Sequence, residues 1–233
     1  MLKKLTKHEF LDLASVGEPL TACHVSGATA QENSLKGLLQ KSHLENILFK
    51  NCTFQTWNVQ DCQFTRCRFL DCDFKETAFS STVLESCLFD NTRFVDVKFS
   101  SCEMDLCQFQ ACAGKVFSLT RLKAPLSVWS GCKFEDSVID SALMVFSDMS
   151  HCEFLNTYIN GSDFSGVIFR GSEFKEVSFK SSNLQIACLD DMKYETLVLD
   201  ATNCFGLSVL GVDLSNLDTS KAIWEGVITK AQS

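Results

Sequence analysis

From Leu44 onward the chain places a large apolar residue at every fifth position. The series runs Leu44, Phe49, Phe54, Val59, Phe64, Phe69, Phe74, Phe79 and continues to Leu214 without an inserted or lost residue. Of its 35 positions, 32 are large and apolar; Gly114, Ala124 and Cys204 are the exceptions. Two residues before each centre stands a second ladder, which is Ser, Thr, Cys, Ala or Val at 28 of the 35 positions. Polar residues dominate the other three slots, with exceptions such as Phe146 and Ile186. A period of five matches neither the 3.6 of a helix nor the 2 of a strand over such a distance. It matches a coil that turns a corner every five residues, with two side chains pointing in and three out.

This pattern resembles the pentapeptide-repeat family, A(D/N)LXX in loose form. Good local matches are CDFKE (72–76), SDFSG (162–166), SEFKE (172–176) and VDLSN (212–216). The resemblance covers residues 42–216. It implies an all-β fold, a right-handed quadrilateral β-helix with four pentapeptides per coil, so that residues twenty apart stack on one side. Adjacent coils then lie roughly 4.8 Å apart, and nearly nine coils make a rod about 40 Å long. Such a solenoid is stabilised coil against coil and needs protected ends.

The chain therefore divides into a capping helix region at 1–19, a pentapeptide-repeat β-helix at 20–216 and a C-terminal helix at 217–233. Thr6 and Glu9 form a capping box ahead of an amphipathic segment with Phe10, Leu11, Leu13 and Ala14. Gly17 and Pro19 end it. Leu20, Val25, Ala30 and Leu35 then step by five one residue out of phase with the main ladder, as a degenerate first coil. At the far end Asp218 or Thr219 caps a short helix with the apolar stripe Ile223, Trp224, Val227 and Ile228. That stripe either folds back on the last coil or pairs with a second subunit.

Thirteen cysteines invite a metal or redox reading, most of all in CQFTRCRFLDCDF (62–74). Zinc needs ligands converging within about 2.3 Å of one point. A spacing of five puts Cys62, Cys67 and Cys72 on three different sides. Stacked sets such as Cys67, Cys87 and Cys107 bring Cα atoms within disulfide range, but their side chains run parallel. Eleven of the thirteen occupy the small inward slot, where free cysteine acts as a small hydrophobe. The histidines, His8, His24, His43 and His151, share no motif with a nucleophile or metal partner, and no phosphate-binding loop, H-E-x-x-H or G-x-S-x-G is present. A rod filled by phenylalanine leaves no substrate cavity. The chain is read as non-enzymatic, with no catalytic residue, cofactor or metal.

One stretch, 113–131, departs from the ladder. Its centres shrink to Gly114 and Ala124 while neighbouring inward slots swell to Phe117 and Leu122, a compensation that packed cores demand. Pro125 follows a centre, where its missing N–H is expected to weaken the ladder.

Net charge is −8, unevenly spread. Residues 1–134 hold 14 acidic and 15 basic side chains, a net of +1, while 135–218 hold 14 acidic and 4 basic, a net of −10. The second half is thus a poor ligand for nucleic acid, whose phosphates need basic residues. Folded modulo twenty, Glu135, Asp136, Glu153, Glu173, Glu176, Glu195 and Asp213 fall on or beside one side, opposed there by Lys175 and Lys193. No apolar run approaches the roughly 18 residues of a membrane span, and MLKKLTKHEF is not followed by the apolar stretch of a signal peptide. The expected location is cytoplasmic, with secretion without a cleaved signal as the alternative.

Within the family, Qnr-type and mycobacterial quinolone-resistance proteins are DNA-mimicking rods, joined tail to tail through C-terminal helices, that bind DNA gyrase or topoisomerase IV. The resemblance implies a homodimer through Ile223, Trp224, Val227 and Ile228, with the seven acids as a partner-binding face. The unbroken register between 44 and 214 admits no projecting loop of the kind the Gram-negative Qnr proteins carry. A general interaction scaffold, or a bacterial effector with an unrelated partner, is the alternative reading.

Overall fold

A computed structural model describes residues 2–230. The chain winds into a parallel β-solenoid of about 10 turns with one short helix, as the repeat predicts. Residues twenty apart pair in parallel, as in Phe69 with Phe49 and Phe89. We number the four sides by their centres: Leu44, Phe64 and Leu84 on the first, Phe49, Phe69 and Phe89 on the second, Phe54 and Phe74 on the third, Val59 and Phe79 on the fourth. Strands such as Thr53–Gln60, Arg93–Ser100 and Glu153–Asn160 run through both the third and fourth sides.

The centres are buried and stack ring on ring. On the second side Phe49, Phe69, Phe89, Phe109 and Trp129 follow one another at centroid distances of 4.9, 4.6, 4.5 and 3.8 Å, within 11° of parallel. A period of twenty residues at one β-spacing sets this geometry, and twenty phenylalanines supply rings that need no polar partner. The small slot beside each centre has a chemical demand of its own. Its side chain reaches the carbonyl 23 residues back: Cys67 Sγ to Leu44 O at 3.4 Å, Thr92 Oγ1 to Phe69 O at 3.2 Å, Ser172 Oγ to Met149 O at 3.0 Å. Cys, Thr and Ser are the small side chains with one donor, which is why they alternate freely here.

Corners fall two residues after each centre, in the left-handed region: Asn46 φ 53°, Asp61 φ 53°, Asn91 φ 49°. Asn and Asp tolerate that conformation.

The first coil is one residue short. Val25 pairs with Leu44 and Leu35 with Phe54, nineteen apart, whereas Gly37 pairs with Trp57, twenty apart. The out-of-phase ladder at 20–35 is therefore a true coil, shifted by a missing residue between Leu35 and Gly37. Helix α1 (Lys7–Val16) covers this end, burying Phe10 and Ala14. Thr6 and Glu9 form the capping box, and Gly17, left-handed at φ 85°, closes the helix with its N–H on Leu13 O.

Two expectations change. Residues 217–230 are not helical. They continue the coil, bridged through Asn203–Ile223 and Ser208–Ile228, and Asp218 Oδ1 accepts the Ser220 N–H as a turn rather than as a helix cap. The i, i+3, i+4 stripe Trp224, Val227 and Ile228 also fits the five-residue step, with Trp224 a centre and Val227 a small slot, and stacking on the preceding coil overrides local helix propensity. Residues 231–233 of the expected helix lie outside the described residues. Pro125, in turn, weakens nothing. From residue 121 the first two sides change from three-residue strands to turns joined by single bridges. In that turn the residue after the centre leaves the coil-to-coil ladder; Ser165, Gln185 and Phe205 give this N–H to the side chains of Asp163, Asn183 and Asn203. Pro125 sits where the ladder asks for no donor. The volume compensation at 113–131 is real: Phe117 lies between Phe94 and Phe134, and a Cβ on Gly114 would meet it at 2.9 Å.

Candidate interaction surface

The thiols are core. Twelve of the thirteen cysteines are buried and all are free. Burial pushes Cys62 and Cys102 up to about 11 and Cys204 up to about 12, the opposite of an activated thiolate. Cys188 alone is half-exposed, close to Arg170 and Asp190, and burial raises it as well. Among the described residues no three His, Cys, Asp or Glu side chains gather as a metal site. His24 and His43 stack at 5.0 Å with Glu45 beside His24.

Concavities are shallow and open. Two of them, about 380 and 330 Å³, lie on the third side around Tyr194, between the charged rows of Glu153, Glu173 and Lys193 and of Lys175 and Glu195.

The seven acids do gather on and beside the third side, but four of them are paired. Lys115 meets Glu135, Lys133 meets Glu153 at 2.7 Å, Lys193 meets Glu173 at 3.1 Å and Lys175 meets Glu195 at 2.9 Å. Each pair spans one coil, twenty residues apart. Two of these lysines, Lys115 and Lys133, lie before residue 135 in sequence and belong to this face only because the coil stacks them there. Seven acids and four lysines give the face a net of −3, so it is mixed rather than uniformly negative. Such exposed pairs contribute about 0–1 kcal/mol each. Their main effect is on the outward potential. Asp136 accepts the Asn156 amide at 2.8 Å, and Asp213 accepts the Ser215 N–H, which holds its carboxyl below the ordinary range. Ion pairs do not answer Asp136, Glu176 or Asp213 among the described residues.

The remaining acidity of 135–218 is spread around the rod. Asp148, Asp163 and Asp218 cap turns through the N–H two residues on. Asp190 is the one buried carboxylate among the described residues; burial pushes it up, but Ser208 Oγ, the Leu210 N–H and Arg170 outweigh that and hold it low.

Ile223 and Ile228 project sideways from the last coil, whereas Trp224 and Val227 point into it and are half-buried against the core. The four expected dimer contacts are therefore split between the outer wall and the end of the rod.

Sequence reasoning missed a second surface. At the corner between the first and second sides, Leu106, Leu126, Phe146 and Ile186 are 63, 61, 58 and 53% exposed. Phe146 and Ile186 stood out as apolar residues in outward slots; that they share one corner shows only when the coils are stacked.

A filled, parallel four-sided solenoid with a two-residue inward code defines a class of repeat protein. A family model described as pentapeptide repeats matches residues 157–191, in eight copies, and the same register continues on both sides of that span. Over that span the chain carries pentapeptide repeats. Among curated proteins none matches the sequence. Of solved structures, the chain is similar to HetL of the cyanobacterium Nostoc sp. strain PCC 7120, a pentapeptide repeat protein involved in heterocyst differentiation regulation: 13% identity over 87% of this chain and 96% of that one, TM-score 0.48. It is also similar to a trypsin-treated form of QnrB1, a plasmid-mediated fluoroquinolone resistance protein: 17% identity over 91% and 92%, TM-score 0.47. Rfr23 of the cyanobacterium Cyanothece 51142 matches 48% of this chain and 64% of its own, at 14% identity and TM-score 0.34. Among the described residues no helix is long and apolar enough to cross a membrane.

Proposed function

We propose that this chain is a non-enzymatic protein-interaction rod, acting in the cytoplasm, whose acid-rich C-terminal half is received by a basic groove on a protein partner. The observation that carries this reading is the net charge of −10 over 135–218 on a rod whose interior is filled by stacked side chains, leaving its outer wall to bind. Negative charge of that size steers association with a basic partner and selects against acidic ones. A groove shaped for duplex DNA is basic and elongated, so a DNA-mimicking contact with a type II topoisomerase, gyrase or topoisomerase IV, is the most specific form of the proposal. Two copies joined end to end through Trp224 and Val227, whose inward faces the last coil leaves partly uncovered, would double the acidic length.

The test is DNA supercoiling by gyrase and decatenation by topoisomerase IV in the presence of the purified rod. Inhibition or protection at about micromolar rod concentration is the expected result; no effect on either enzyme removes the topoisomerase form. The groups to neutralise are those no lysine answers: Asp136→Asn, Glu176→Gln and Asp213→Asn together should weaken binding while the fold is kept.

A general interaction scaffold or effector with an unrelated partner is favoured by one observation, the ion-pair ladder that reduces the predicted face to a net of −3. A mixed face of this kind selects a partner by charge pattern. The triple variant separates the two, because a scaffold using another side is indifferent to it.

A further inference from the structure

The corner between the first and second sides carries an apolar ridge that the rod's own packing does not require. Leu106, Leu126, Phe146 and Ile186 stand twenty residues apart, with Gly166 between the last two. All four are left-handed, at φ 54, 55, 55 and 52°, and more than half exposed. Apolar and β-branched residues are the poorest occupants of that conformation, which earlier coils of the same row fill with Asn46, Arg66 and Ser86. The Phe146 ring leans along the ridge and lies where a Cβ on Gly166 would be, closing the gap. Leu143 on one flank and Ile168 on the other are also exposed. The result is one apolar strip about 19 Å long, four β-spacings from Leu106 to Ile186. A contiguous exposed apolar strip rimmed by polar residues is characteristic of interaction surfaces.

We infer that this ridge is a self-association surface on which two copies pack side by side and antiparallel, about a two-fold axis at the level of Phe146. The argument is self-complementarity. In that arrangement a residue twenty before Phe146 faces the residue twenty after it on the partner, flank to like flank. Leu126 meets the level of the partner's Gly166, a side chain against a gap. Leu106 meets the partner's Ile186, and Val128 meets the partner's Ile168. Lys123, which pairs Glu103 at 2.8 Å within its own copy, also meets the partner's Asp163, twice by symmetry, and Asp163 has no ion-pair partner of its own among the described residues. Asp148, in the same column as Val128 and Ile168, faces its own counterpart and is the one like-charge contact of this arrangement. A parallel pair instead sets Lys123 against the partner's flank at its own level and lays the two −10 halves side by side; the antiparallel pair lays each −10 half along the partner's near-neutral half. The strip is smaller than the roughly 800 Å² per partner of a stable complex, so the dimer is weak and concentration-dependent. It is independent of the end contact through Trp224 and of any topoisomerase.

Sedimentation equilibrium up to about 1 mM, well above a weak dimer's dissociation constant, tests it. Wild type should dimerise, and Phe146→Asn or Leu126→Asn should weaken the dimer by roughly tenfold or more. The melting temperature of the diluted monomer should hold or rise, because Asn is at ease in the left-handed corner. Orientation is read by cross-linking in a Cys188→Ser background, the other thiols being buried. Leu143→Cys, on the two-fold level, should form a covalent dimer, and Leu106→Cys, which faces the partner's Ile186, should not. A monomer at every concentration overturns the inference. So does cross-linking of Leu106→Cys as readily as Leu143→Cys, or a dimer lost in Trp224→Asp and kept in Phe146→Asn.

Discussion

A single slot accounts for most of the cysteines. The residue two before each centre must be small, must be buried and gains from one donor aimed at the carbonyl 23 residues back. Cysteine satisfies all three, so thiols accumulate without forming a site. Their pKa values have a consequence. Cys62 and Cys102 are pushed from an ordinary 9.0 to about 11, and Cys204 to about 12. A group raised in the folded state contributes its full stability below the unfolded value and loses it as pH climbs through the folded one. Moving one thiol from 9.0 to about 11 weighs ~3 kcal/mol. These three thiols should therefore make the rod lose stability steeply from about pH 9 to 11, read by circular dichroism. In native protein at about pH 8, below the thiol range, a maleimide should label Cys188 slowly and the other twelve only after denaturation, as mass spectrometry would show. A centre has less tolerance than its neighbour. Phe69 is fully buried between Phe49 and Phe89, so Phe69→Ala should cost about 3–5 kcal/mol in chemical unfolding.

Ends decide whether a solenoid element survives, because an open coil exposes both its rings and its ladder. Helix α1 closes the N-terminal end. It fits there through one close approach: Gly37, at φ 89°, lies under the helix terminus, where an added Cβ would sit 2.6 Å from Gly17 O. Gly37→Ala should cost about 2–3 kcal/mol, from strain and from lifting the helix off the first coil. Thr6→Ala removes only the capping box and should cost about 1 kcal/mol. Hydrogen exchange of residues 20–40 distinguishes them, since only the first should open that coil. The turn-type coils after residue 121 are an element-level choice as well. Asp and Asn at the position before a centre take the N–H that a strand would give to the next coil. Much of the acidity of the second half therefore has a local structural use before it has a functional one.

At the scale of the whole molecule, the outer wall is set by which side chains the coil brings into one column. Lys115 and Lys133 belong to the balanced half of the sequence and to the acidic face of the rod. Reversing the charges of Glu153, Glu173 and Glu195 would disrupt the ladder itself, by setting new positive charges against Lys133, Lys193 and Lys175, whereas neutralising Asp136, Glu176 and Asp213 tests the outward potential alone. If the acid-rich half binds a basic groove, affinity should fall several-fold between about 50 and 200 mM salt, and the triple variant should flatten that dependence in a titration of the rod against its partner.

The five-residue step by itself determined the solenoid, the buried columns, the short first coil and the structural role of the cysteines, because each inward residue is fixed by position alone and every coil repeats the same two-in, three-out rule. The capping box was equally legible, being a contact between residues three apart. Only the tertiary structure decided the rest. Trp224, Val227 and Ile228 satisfy a helical stripe and a coil step equally, and stacking on the preceding coil settled the conflict. The pairing of the acids and the apolar ridge depend on neighbours twenty residues away, whose side chains meet at one β-spacing though nothing adjacent in sequence records it.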